Sequence, residues 1–565
     1  MPNVSIIGFM ERRDSMFRKN KTHEQERLFS HFNDLDDRLK KRLLKTWAPI
    51  FYEHVFCKID EAPFAALYSD DNGRPNFPIN ILLCLEFIKH WKDLTDEELL
   101  EQASFNYQVT YAIGLRDLGE EYIARRTLYH FRQRVYRHMQ EHGENGDLIF
   151  DQFSKLTKQF IELAGIKTNE QRMDSTLISP NIQKTGRLAL AFDVLIHALQ
   201  SSDEKQLPES LKAVLEPEFK TNILYRTRAS STQTRLEDVL ELGQQLLQWV
   251  KENNMELSET QRLLARFLCE QGTWNEADEK WIAKENDQIG SDSLQSAHDP
   301  DATYRKKGHH AHSGYVCNLA ETCSSENSAQ IIIDYTLERN IVADATMIKD
   351  RMPQIKERTD LEDFYVDGGY YGEKVEEAAQ QDHVKMHYSA MTGKKPSPGK
   401  ITFAEFDIEN RQKICSCPEK QEPCRATFDE KSKTLSAHFD VTQCRECPRL
   451  NECPIKLQKK EAVIRVSQKR LLADETRQLL VQGGQKEITS KRAAIEGTNS
   501  ALKRKQGMDK LRVRGLHKSR VVVGLKIVAH NFQQLLHGLK RLAQKAAEAT
   551  NQMKVPVLQG VSLQN

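Results

Sequence analysis

The sequence predicts an α/β protein: an all-α N-terminal domain, then a mixed-sheet core flanked by helices and interrupted by a helical insertion and a small Cys-rich insertion. Three observations carry this expectation. Apolar residues recur at helical spacing through the first 160 residues, and short apolar or β-branched segments stand far apart from about residue 165. Helical periodicity then returns near the C-terminus, where Ile488, Ile495 and Leu502 are seven residues apart.

In chain order, Leu35, Leu39 and Leu43 and then Ile81, Leu82, Leu85 and Ile88 mark helices, separated by the breaker Gly73-Arg74-Pro75-Asn76-Phe77-Pro78. Thr95 opens a further helix as N-cap, with Asp96, Glu97 and Glu98 in its first turn. The segment 127–139 closes this domain and sets Arg132, Arg134, Arg137 and His138 on its polar side. That side is either a solvated charged face or a DNA-backbone contact, with Arg132 and Arg137 as the candidate DNA-binding residues. Strands are expected around 173–178, 314–319, 329–336 and 364–366. Between the first two lies a polar helical insertion, 201–295, with Leu236, Val239, Leu240, Leu246 and Leu247 followed by Leu263, Leu264 and Leu268. A second insertion, 395–460, is rich in Lys, Pro and Cys. The expected organisation is therefore a helical domain over 1–160, a core over 165–200, 296–394 and 461–545, and a flexible tail over 546–565.

The chain of 565 residues carries 82 Lys and Arg against 81 Asp and Glu, so its net charge of +1 creates no whole-protein field. With 29% charged and 39% hydrophobic residues it is globular, which excludes collagen-like and disordered classes. No apolar run approaches the ~18 to 20 residues of a membrane helix, and the first residues lack a secretory pattern, so a cytoplasmic, nucleoid-associated protein without a membrane partner is expected. Charge is uneven, however. Residues 486–550 hold fifteen Lys and Arg against four acids, the pattern of a polyanion-binding surface.

Within this basic region, Arg492, Glu496, Asn499, Ser500 and Lys503 share one helix face. A carboxylate among cations is either a salt bridge or a metal ligand whose neighbours hold phosphates, and the second reading needs partner acids. Asp174 interrupts the otherwise apolar strand Met173-Asp174-Ser175-Thr176-Leu177-Ile178. Asp367 ends Phe364-Tyr365-Val366 and precedes Gly368-Gly369-Tyr370-Tyr371-Gly372, at a strand end where ligands bind, with a β-turn as its ordinary alternative. Three such carboxylates could hold two hard divalent cations, Mg or Mn, suited to in-line phosphoryl displacement. Asp344, Asp299 and Asp301 are rival acids that lack the Gly-Gly-Tyr context. No Walker loop is present, so nucleoside-triphosphate hydrolysis has no support.

These residues resemble a known family, the DDE transposases of bacterial insertion sequences, whose catalytic core is RNase H-like. The likeness spans most of the chain and rests on Thr127-Leu128-Tyr129-His130-Phe131-Arg132, Met173-Asp174-Ser175-Thr176, Phe364 to Gly372, and Arg492-Ala493-Ala494-Ile495-Glu496-Gly497 leading to Lys503. It implies an RNase H-like core, with Asp174 on the first strand, Asp367 at the end of the fourth, and Glu496 on a following helix as the catalytic, metal-holding triad. It also implies a substrate of double-stranded DNA, both terminal inverted repeats and target, cut and joined by a homodimer or higher synaptic assembly. In many relatives a tyrosine stands three residues before the arginine; here Thr489 occupies that place. Arg492, Lys503, Arg504, Lys505, Arg512, Arg514 and Lys518 are the expected phosphate grips. The alternatives are an RNase H-like nuclease without strand transfer and a catalytically inactive DNA-binding repressor.

Six of the eleven cysteines, Cys415, Cys417, Cys424, Cys444, Cys447 and Cys453, fall in the second insertion. Only Cys444-x2-Cys447 has standard knuckle spacing, and four of the six sulfurs would complete one structural zinc site, with reduced thiols as the alternative. His309, His310 and His312 beside Lys306 and Lys307 could ligate metal, but with no acid or cysteine close in sequence they read as a basic DNA-facing loop.

Overall fold

The computed structural model describes residues 17–25, 27, 29–69, 75–390, 398–479 and 485–553. The N-terminal segment read for targeting, Gly73 and Arg74 of the first breaker, the first residues of the Cys-rich insertion and the end of the expected tail lie outside the described residues.

Helix α1 (Ile79–Lys92) is buried along ten consecutive residues, because its sequence is a nearly continuous apolar run. Helix α2 (Asp96–Phe105) opens with a reciprocal capping box between Thr95 and Glu98. The amphipathic α3 (Arg125–His142) buries Leu128, Phe131, Val135 and Met139, and α4 (Leu148–Ala164) is capped by Asp147 and stopped by Gly165 in the left-handed conformation.

The core sheet is built around β1 (Glu170–Ile178). Helices α5 (Arg187–Gln200), α6 (Thr232–Glu252) and α7 (Glu259–Gln271) follow with their own apolar cluster. The boundary of this insertion therefore lies earlier than residue 201, since Leu195 and Leu199 of α5 pack with Leu240 and Leu264 rather than with the sheet. The insertion also holds a hairpin, Gly272–Asn275 with Lys280–Ala283, which helical periodicity does not reveal.

Strand β2 (Thr303–Lys307) pairs with the start of β3 (His310–Thr322), whose remainder lies between β1 and β4 (Ile332–Arg339), all antiparallel. Helix α8 (Asp344–Arg358) leads to β5 (Asp363–Val366), parallel to β1, and β6 (Lys385–Tyr388) is parallel to β5. The resulting order is β4-β3-β1-β5-β6, with β2 extending the β3 side. Next comes a separate sheet of four strands, β7 (Arg425–Asp429), β8 (Thr434–Phe439), β9 (Lys456–Leu457) and β10 (Ala462–Ser467), in the order β7-β8-β10-β9. It has its own core, to which Leu471 of the following helix belongs, so the Cys-rich unit runs past residue 460.

The chain returns through α9 (Gln485–Ala493) and α10 (Ile495–Lys505) to the 38-residue α11 (Leu516–Met553), which extends beyond the expected start of the tail. Helix α11 packs on α1, α4 and β4. One apolar cluster therefore runs from Phe51 of the helical region through Tyr335 of the sheet to Phe532 of α11, joining the N-terminal helices to the core. Asn531 pins this helix to the sheet by accepting from the Ile332 amide (2.9 Å) and donating to the Ile332 carbonyl (2.6 Å). Among the described residues no helix is long and apolar enough to cross a membrane.

Gly524 lets α11 approach β4 closely. A Cβ there would overlap the Tyr335 hydroxyl and crowd Ile149, while the Tyr335 ring is held against Phe150 and Phe153. Gly524→Ala is expected to destabilise the core by about 1 to 3 kcal/mol through overpacking, read as a lower denaturation midpoint. An unchanged midpoint would mean that the ring gives way freely.

Candidate active site

Asp174 is the fifth residue of β1, and Asp367 follows the last residue of β5. The parallel pairing of Arg172 with Tyr365 brings both acids alongside two residues later. Glu496 lies in the first turn of α10, four residues after Arg492 at the end of α9. The three acids meet at one cation. The Arg492 guanidinium lies 3.0 Å from Asp174, 3.6 Å from Asp367 and 2.8 Å from Glu496.

Each carboxylate has a distinct setting. Asp174 is largely buried and also accepts from the Asn499 amide at 3.3 Å. Burial pushes its carboxyl above the usual range, Arg492 opposes the rise, and neighbouring Asp367 adds to it. Asp367 uses Oδ1 to accept from the Gly369 amide at 2.7 Å, the turn its Asp-Gly sequence suggests, which leaves Oδ2 toward Arg492. Glu496 is 63% exposed, so its carboxylate can turn toward solvent or a bound polyanion.

A buried layer that no local sequence periodicity marks lies beneath these acids. Arg172 shares the Asp174 face of β1, since side chains alternate along a strand. It makes a 2.6 Å ion pair with Glu321, its register partner on β3, and donates to the Lys491 carbonyl at 3.0 Å. Thr498 donates to the second oxygen of Glu321 at 2.7 Å. Together these contacts stitch the α9–α10 junction to β1 and β3. The available signal was Glu321 itself, an acid inside the apolar segment Tyr315 to Thr322.

The rival acids have other partners. Asp299 accepts from the Tyr315 hydroxyl (2.6 Å) and the Gly515 amide (2.9 Å), and Asp301 pairs with Arg339 at 3.1 Å. Asp344 lies against Gly369, with Arg305 at 3.6 Å. As the side chains stand, no three His, Cys, Asp or Glu among the described residues form a ready cage for a metal ion. Of the six clustered cysteines, Cys417, Cys444, Cys447 and Cys453 line one pocket, whereas Cys415 and Cys424 do not.

The expected DNA-contacting cations divide into two groups. Arg132 is turned inward, held by Glu86 and Asp96 (both 2.7 Å), and so does not present the guanidinium to a duplex as the polar-face reading expected. Its helix neighbour Arg137 is exposed. Arg504, Lys505 and Lys518 are exposed, while Lys503 is 3.4 Å from Asp509. Arg512 is 3.3 Å from Asp93, and Arg514 donates to the Asn181 carbonyl at 2.7 Å, so both also tie the C-terminal segment down. His309 and His310 are exposed at the β2–β3 hairpin, with His312 half-buried beside them.

A mixed sheet in which three antiparallel strands continue into two parallel ones, with acids on β1, directly after β5 and on a later helix, has the arrangement of an RNase H-like core. The comparisons agree with it. Residues 416–536 match the family model of a transposase DDE domain, and residues 34–134 match that of a transposase domain (DUF772). The chain therefore carries a transposase DDE domain and a second transposase domain, and both matches support a DDE transposase of an insertion sequence. The DDE match includes Glu496 and lies outside both aspartates. Among curated proteins and solved structures, none matches the chain.

Proposed function

We propose that this transposase binds the terminal inverted repeats of its element, hydrolyses the phosphodiester at each end, and uses the freed 3′-hydroxyl to attack target DNA. The observation that carries the reading is the convergence of Asp174, Asp367 and Glu496 on the single guanidinium of Arg492. Three oxygen-bearing acids already grouped around a positive charge suit hard divalent cations, Mg or Mn. Asp174 and Asp367 would bracket the pair and Glu496 would complete it. Bound there, the ions would activate the attacking oxygen and stabilise the leaving one.

The protein's own groups supply the rest. Asn499 orients the Asp174 carboxylate, and the Gly369 amide orients that of Asp367. Arg492 offsets part of the triad's negative charge, and with divalent cations held there its guanidinium would be free to pair with a strand phosphate. Two ends must be joined, so a homodimer or larger synaptic assembly, acting on DNA in the cytoplasm, belongs to the same reading.

The test uses DNA carrying the element's ends, Mg and the full-length protein. Nicks at both ends followed by joined products support the proposal. Cleavage without joining favours a nuclease, and binding without cleavage a repressor.

Grip is assigned to the exposed cations in the last turn of α10. Replacing Arg504 and Lys505 together by Gln is expected to weaken binding to repeat-bearing and unrelated duplexes alike. It should also flatten the log-log salt dependence by about 0.9 per lost phosphate contact. A salt titration by fluorescence anisotropy measures this, and loss confined to the terminal repeats would count against it.

A further inference from the structure

Four of the six clustered cysteines come from three separate turns and face one small pocket of the Cys-rich unit. Cys417 follows the strand Lys413–Ser416 and starts a tight turn, its carbonyl accepting from the Lys420 amide (2.8 Å) and its amide donating to the Gln421 carbonyl (2.9 Å). Cys444 and Cys447 bracket the end of the short helix Val441–Glu446, with the Cys447 amide bonded to the Cys444 carbonyl. Cys453 closes the following loop through its amide, which donates to the carbonyls of Arg449 and Leu450.

We propose that Cys417, Cys444, Cys447 and Cys453 together take up one structural zinc ion, and that Cys415 and Cys424 take no part. Several observations support this. Tight turns at Cys417 and Cys447 bring cysteines from distant parts of the segment to the lining of one pocket, and four cysteines are the number a tetrahedral tetrathiolate site needs. The pocket is otherwise walled by Phe439, Leu450, Ile455 and Ile464, with Gln421 as the remaining polar side chain. All eleven cysteines are free thiols in this structure. Cys424 is exposed ahead of β7, and the Cys415 sulfur is turned to the Lys413 carbonyl.

As the side chains stand the four cysteines form no ready cage, so zinc ligation would draw them closer together and release the thiol protons to solvent. The unit has only a small apolar core and sits between Asp367 and Glu496 in the chain. A metal there would brace its loops independently of any ions at the carboxylate triad.

Full-length protein purified under reducing, chelator-free conditions is expected to hold about one zinc per chain by elemental analysis. Cys447→Ser and Cys453→Ser should lower that content to near zero, whereas Cys415→Ser and Cys424→Ser should leave it unchanged. Because loss of a ligand can unfold so small a unit, cobalt titration of unaltered, zinc-stripped protein gives a second readout. The expected result is the visible spectrum of tetrahedral cobalt with a thiolate charge-transfer band. Zinc near zero, a cobalt spectrum without thiolate ligation, or equal zinc loss in the Cys415 and Cys424 variants would each overturn the proposal. None of these outcomes bears on the carboxylate triad.

Discussion

Asp367→Asn is expected to abolish cleavage at the element's ends, by well over about 100-fold, while leaving DNA binding intact or slightly tighter. The magnitude follows from the role proposed for this carboxylate: even groups that merely orient a metal's ligands cost about 10- to 100-fold when changed, and a direct ligand should cost more. The substitution is also mild structurally. An asparagine Oδ1 can still accept from the Gly369 amide, so the turn after β5 survives, and the weakened contact to Arg492 is a half-exposed one. Removing a negative charge beside DNA reduces repulsion. Asp174→Asn and Glu496→Gln should behave alike, with Asp174→Asn the more disruptive to folding because its carboxylate is buried against Arg492 and Asn499. The measurement is a gel assay of end cleavage beside a binding titration. Cleavage retained near the unaltered rate would remove Asp367 from the triad.

The second large effect concerns stability. Glu321→Ala leaves the Arg172 guanidinium buried without its carboxylate and takes the hydrogen-bond acceptor from Thr498. Breaking one partner of a buried ion pair costs about 3 to 5 kcal/mol, so the core should melt at a markedly lower temperature. A double change, Arg172→Met with Glu321→Leu, should recover much of that loss, because an apolar pair of similar volume needs no compensation. Cleavage should nevertheless stay low in the double variant. The bonds from Arg172 to the Lys491 carbonyl and from Thr498 to Glu321 set where α9 ends and α10 begins, and hence where Arg492 and Glu496 stand. Full cleavage by a stable double variant would show that the junction holds its position without the pair.

Local pattern by itself determined a good part of this molecule. The apolar run of α1, the Thr95 cap, and the strands around Asp174 and before Asp367 depend on neighbours a few residues away, and each lies close to where periodicity and capping chemistry set it. The helical spacing of Arg492 and Glu496 likewise predicted their 2.8 Å contact. What the tertiary structure alone decided is which distant groups become partners. Arg132 looked like a free cation on a polar helix face, but Glu86 and Asp96 on other helices claim it, and no helical period records a partner on another element. Helix α5 joined the insertion rather than the sheet because an amphipathic face does not specify which of two cores will bury it. The same holds for the cysteines. Spacing marks the Cys444-x2-Cys447 pair, and only folding the loops together brings Cys417 and Cys453, rather than Cys415 and Cys424, to the same pocket. Arg492 meets Asp174 across 318 residues because β1, β5 and the α9–α10 junction pack at one place, an outcome of long-range burial and strand pairing that no local window contains.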